Sequence, residues 1–109
     1  MTNNIINDDN DNDIDYDILS KYCTYCCDET PDTIAFNGRC IIYIKADGFF
    51  AINGYTSSIL NNPTYIDIFN LLDDIVETTG NDHNTFFEGV HYVQKINEHI
   101  HEINIIMGS

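Results

Sequence analysis

Basic side chains are nearly missing from this sequence. Three lysines and one arginine stand against 18 acidic residues, a formal net charge of −14 over 109 residues. A surface of that sign repels nucleic-acid phosphate and anionic membranes, and it draws basic surfaces toward itself. Isoleucine and asparagine are heavily used, which suggests an AT-rich coding sequence. That bias would ordinarily bring lysine with it, so the acidity reads as retained. Long hydrophobic runs are also lacking: none approaches the ~20 apolar residues that a bilayer-spanning helix needs. The opening Met1–Asp9 has neither a basic nor an apolar signal region, so no secretory leader is expected and a cytoplasmic location is (host cytoplasm or virion, if the source is viral). Outside an oxidising compartment, Cys23, Cys26, Cys27 and Cys40 are expected as thiols or metal ligands rather than disulfides. Glycine-rich phosphate loops are absent, and no Ser-His-Asp or Cys-His order can be tied to a geometry. The expectation is a protein that is not an enzyme.

What is present is enough for one core. Apolar residues make up 43% of the chain, which suits one small domain rather than a disordered polymer. Charge divides the chain: residues 1–32 hold nine acids and one lysine, and the Asp/Asn alternation from Asn7 to Asp17 has few apolar anchors. Residues 1–14 are therefore expected as an acidic flexible tail and 15–109 as a single α+β domain. Ile18, Leu19, Tyr22, Cys23 and Cys26 recur at helical spacing, so a short helix is expected over 15–27, with Pro31 marking its exit. From Asp32 the period becomes two. Cys40, Ile42 and Ile44 share one strand face, and Arg39, Ile41, Tyr43 and Lys45 the other. The turn pairs Asn37-Gly38, Asp47-Gly48 and Asn53-Gly54 predict an antiparallel meander. Asn62-Pro63 predicts a helix start, followed by the stripe Ile68, Leu71, Leu72, Ile75 and Val76, with Gly80 as a left-handed C-cap. The aromatic, β-branched stretch after Phe86 predicts a closing hairpin, 85–96 with 99–107.

Several constellations could carry chemistry. Asp9-Asn10-Asp11-Asn12-Asp13 has the beginning of a calcium-loop spacing. It places Ile14 where glycine is needed and Ser20 where a bidentate Glu would close the site. Cys23, Cys26 and Cys40 are the candidate metal ligands, with a histidine as fourth donor and zinc as the one cofactor to consider; otherwise no cofactor is expected. Against that, all three fall on apolar faces, where cysteine serves as a small hydrophobe. The same C-x₂-C lacks the βαβ context of a redox pair. His99 and His101, two apart, would share a strand face near His91, among the acidic neighbours Glu98 and Glu102.

The acidic surface itself is the strongest functional signal. Asp67, Asp73, Asp74 and Glu77 lie on the outer side of the predicted helix and are the candidate partner-binding residues. Carboxylates spaced along one face can occupy the groove by which a basic protein holds nucleic acid, with Tyr22, Tyr25, Tyr55 and Tyr65 as candidate aromatic anchors. The reading is an acidic interaction protein that binds a basic partner and neither nucleic acid nor membrane directly. Its sharpest form is a nucleic-acid-mimicking inhibitor or an immunity-type protein, a profile common among viral and mobile-element accessory proteins. The alternatives are a structural component of a virion or homo-oligomer, in which the charge only confers solubility, and a small zinc-stabilised module. Oligomeric state is not legible.

Overall fold

A computed structural model describes residues 18–109. The acidic tail expected over 1–14, the calcium-like stretch and Asp15–Asp17 lie outside the described residues. In chain order the elements are β1 (Thr24–Tyr25), β2 (Arg39–Ile44), β3 (Tyr55–Thr56), β4 (Leu60–Asn61), α1 (Tyr65–Phe69), α2 (Leu72–Thr79), β5 (Phe86–Lys95) and β6 (His101–Gly108). They form an α+β fold: one mixed six-stranded sheet in the order β1-β5-β6-β2-β3, with β4 also on β2, and one helical segment broken into two short pieces. Among the described residues no helix is long and apolar enough to cross a membrane.

The sheet differs from the predicted meander. β2 alternates as expected, with Cys40 and Ile42 fully buried and Arg39 and Tyr43 exposed. Its long neighbour, however, is β6, in parallel, with Cys40 opposite His101 and Ile42 opposite Ile103. The Asn37-Gly38 turn does not fold the preceding residues back onto β2. Gly38 is tied instead to Asn62, whose Oδ1 accepts from the Gly38 amide at 2.7 Å while its own amide donates to the Gly38 carbonyl at 2.8 Å. Ala35 meanwhile donates to the Pro63 carbonyl, so 34–36 runs beside the start of the helix. Antiparallel pairing to β2 comes from the short strands β3 and β4. β5 and β6 pair antiparallel along most of their length, and Ile96 closes back on Ile100.

The helix begins later than Asn62-Pro63 predicts. Thr64 is the N-cap, and a capping box closes the first turn: the Asp67 amide donates to the Thr64 hydroxyl, and the Thr64 amide to the Asp67 carboxylate. Asn62 cannot serve as N-cap because it sits at φ 47°, clamped to Gly38. At Asn70–Leu71 the path tightens, with Leu71 donating to Ile68, an i→i−3 bond that divides α1 from α2. α2 ends on Gly80 in the left-handed region, φ 80°, where a side chain would be strained.

Helix and sheet meet in one core. Ile68, Phe69, Leu72, Ile75 and Val76 pack on Cys40, Ile42, Phe87 and Ile103, with Cys23 and Tyr55 at the margin. Each large side chain buried this way contributes roughly 1.5–3 kcal/mol. The helix expected over 15–27 is not found in its described part, 18–27. Thr24–Tyr25 instead lies parallel to the start of β5, with the Cys26 amide donating to the Phe87 carbonyl at 2.8 Å. The physical reason lies far along the chain: a carboxylate on α2 takes up the backbone donors that a helix would need.

Candidate functional site

That carboxylate is Asp73. Its two oxygens accept from the Lys21 amide, both at 2.9 Å, and one of them also accepts from the Ser20 hydroxyl. The Ser20 oxygen in turn accepts from the amides of Tyr22 and Cys23. These donors hold the Asp73 carboxyl below the usual carboxylate range, Ser20 first and the Lys21 amide next. One turn on, Glu77 accepts from the Tyr22 hydroxyl at 3.1 Å and from the Lys21 ammonium at 3.4 Å. That hydrogen bond is the largest reason the Tyr22 phenol titrates high.

The four candidate carboxylates are therefore unlike one another. Asp67 closes the capping box of α1. Asp73 and Glu77 fasten segment 20–22 to α2. The Asp74 side chain is exposed and accepts no hydrogen bond among the described residues. The break at Asn70–Leu71 separates Asp67 from the other three, so the predicted continuous ridge is divided between two helical pieces. Sequence reasoning missed the anchoring role of Asp73, since nothing local marks a bond to Ser20. It also missed the capping box, although Thr64-Tyr65-Ile66-Asp67 carries that signal, with Asp in place of Glu.

The cysteines do not converge. Cys23 and Cys40 are buried in the core, Cys26 is exposed and Cys27 is half-buried. Burial pushes the Cys40 thiol up to about 11 and raises Cys23 and Cys27 as well, which keeps them protonated at neutral pH. Among the described residues no group of three or more His, Cys, Asp or Glu side chains is arranged to hold a metal ion. The candidate ligands Cys23, Cys26 and Cys40 are thus not brought together.

Nor do the histidines gather. His101 shares a contact with the Tyr92 hydroxyl at 3.0 Å and packs against Phe36. His91 lies opposite Asn104 on β5, next to Tyr92 and so on the other face of the sheet. His99 is in the loop before β6, its amide donating to Asn97. Of the candidate aromatic anchors, Tyr55 is buried and Tyr25 is half-buried, edge-on to Phe69 and Phe87. The most exposed large apolar side chains are elsewhere, at Leu19 (81%), Phe49 (76%) and Ile52 (64%). Phe49 owes its position to Asp47, whose side chain accepts from the Phe49 and Ala51 amides at 2.8 and 2.9 Å.

One cleft of about 240 Å³ opens between α2 and the sheet, floored by Ile44, Ile105 and Met107. Its lining holds no ionisable side chain, and the Thr79 hydroxyl there is spent on the Ile75 carbonyl at 2.7 Å. The cleft offers volume without an acid, a base or a free nucleophile. Comparison with protein-family models, with curated proteins and with solved structures found no match.

Proposed function

We propose that this chain is a non-enzymatic acidic interaction protein that binds a basic protein surface, with an inhibitor or decoy of a nucleic-acid-handling protein as its sharpest form. The observation that carries the reading is uncompensated charge. Twelve of the 18 acids fall in the described residues together with all four Lys and Arg side chains. Among those residues a single ion pair joins a carboxylate to one of these bases, Lys21 with Glu77, exposed at 3.4 Å. The hydrogen bonds at Asp67 and Asp73 do not cancel charge. They hold two carboxylates in fixed positions, which lowers the ordering cost of meeting a rigid cationic partner. In this reading Asp67, Asp73, Asp74 and Glu77 form the contact, and long-range attraction by the rest of the surface speeds association.

The test separates charge from structure. Asp67→Asn, Asp74→Asn and Glu77→Gln together remove three charges, while each amide keeps an acceptor oxygen for the bonds at Thr64 and Tyr22. The immobilised chain is expected to retain a basic, nucleic-acid-handling protein from its native lysate and to release it as salt rises toward about 0.5 M, where the screening length is short. The triple variant is expected to weaken that complex about tenfold. Equal affinity of the variant and the parent, or retention indifferent to salt, overturns the proposal.

A further inference from the structure

We infer that the cleft between α2 and the sheet is a binding site for a small neutral amphiphile. Its ligand has an apolar body ending in a hydrogen-bond acceptor, such as an amide or ketone carbonyl. The cleft exists because the sheet splits. β2 and β6 pair in parallel as far as Ile42 and Ile103. Continued, that register would set Ile44 against Ile105. Both line the cleft instead, together with Met107, while Leu72 and Val76 of α2 form the wall across from them. At the split the Ile105 amide donates to the side chain of its own neighbour, Asn104, at 2.8 Å. That donor is satisfied from within β6, so the gap beside it can stay open without leaving the amide bare.

The lining selects the chemistry of the occupant. On the scale by which a dry apolar cavity of about 150 Å³ holds benzene, the 240 Å³ here take about ten non-hydrogen atoms. Asn81, Asn84 and Asn104 bring three carboxamides to the lining. The Asn81 oxygen accepts from the His83 amide at 3.2 Å, and the Asn104 oxygen from the Ile105 amide. A backbone N–H can bond only to the oxygen end of a carboxamide, so in both residues the NH₂ group is the end left over. Neither NH₂ group meets an acceptor among the described residues. The cleft thus lacks an acceptor, and a ligand carbonyl supplies one. A carboxylate would supply one too, but it would enter a lining without a cation, on a chain of net charge −14. Burying a charge unpaired is costly, so the ligand is neutral. None of Asp67, Asp73, Asp74 and Glu77 lines the cleft. The inference is independent of the acidic-partner proposal, and the two can fail separately.

Octanamide and octanoate, alike in size and shape and different in charge, are the probes. Each is titrated into the isotope-labelled full chain and followed by NMR. Octanamide should bind with a Kd of about 1 mM or tighter. It should shift the side-chain NH₂ signals of Asn81 and Asn104 together with the backbone amides of Thr79 and Ile105. Octanoate should bind at least about tenfold more weakly. Asn81→Asp with Asn104→Asp keeps an oxygen for each backbone amide and removes only the NH₂ donors, so octanamide affinity should fall about tenfold. Met107→Trp fills the cleft and should abolish the saturable shifts. The triple amide variant on the helices should bind octanamide like the parent. No saturable shift at the cleft, octanoate bound as tightly as octanamide, or an affinity unchanged by the paired Asp substitutions or by Met107→Trp overturns the inference.

Discussion

The two ends of β5 are one strand in two environments. At Phe86–Val90 the strand meets α1 through Phe87 and Phe69, and segment 24–26 closes the beginning of its edge. Phe87 is wholly buried there, edge-on to Tyr25 and tilted against Phe69. At His91–Lys95 the backbone pairs as well with β6, yet every side chain is exposed and the edge is bare. Both ends are rich in aromatic and β-branched residues, so strand propensity does not account for the difference. What differs is the cover. The cover at the first end is fastened by Asp73, a carboxylate that sequence position alone assigns to the solvent side of a helix.

Truncation on the two ends should separate them most widely. Phe87→Ala is expected to cost about 3–5 kcal/mol, the range for an aromatic removed from a packed core. Tyr92→Ala should cost about 1 kcal/mol, since it loses only a stack on Phe36 and a hydrogen bond to His101 at a half-exposed site. Chemical denaturation of both variants gives the comparison, and equal losses would break it. A smaller contrast lies on α2. Asp73→Ala leaves the Lys21 amide and the Ser20 hydroxyl without their acceptor and should cost roughly 1–2 kcal/mol. Asp74→Ala, one residue on, should stay within about 0.5 kcal/mol.

Acid should act through the same fastening. The folded-state pKa of Asp73 is depressed by the Ser20 and Lys21 donors, so its contribution is present above the unfolded carboxylate value near about 4. It is lost as pH falls through the lower folded value, and Asp73→Asn should flatten the stability curve in that window. The subtlest readout is thiol labelling at neutral pH. Cys26 should react first, Cys23 and Cys27 more slowly, and Cys40 last, in step with burial and raised pKa. In Asp73→Ala, Cys23 should gain reactivity while Cys40 does not. Gain at both would mean that the two ends open together and that the cover is not a separate unit.

Features set within one turn of chain were legible in the sequence. The buried stripe Ile68, Leu72, Ile75 and Val76, the alternation along Arg39–Ile44 and the left-handed cap at Gly80 all follow from local period and local backbone demands. Pairing between distant elements was not. Asn37-Gly38 is a hairpin signal only if its neighbours fold onto each other, and here Asn62 takes the glycine instead. Helical spacing at Ile18–Cys26 states which residues are apolar, but the backbone donors of Ser20–Cys23 answer to Asp73. The candidate site divides along the same line. Its residue types and signs of charge were readable, whereas the distinction between carboxylates that hold the fold and one left to solvent required the partners.

The parallel pairing of β2 with β6 bears on how the chain reaches this state. β2 gives the core Cys40 and Ile42, yet the strand beside it comes from the far end of the described sequence, after both helical pieces and β5. As residues emerge during synthesis, β2 can meet β3 and β4 early but must wait for Ile103 before its other side is closed. Contacts so distant in sequence slow folding and prolong the exposure of unpaired strands. During that interval the surplus of negative charge keeps nascent copies apart, a service to the unfinished chain whatever the finished one binds.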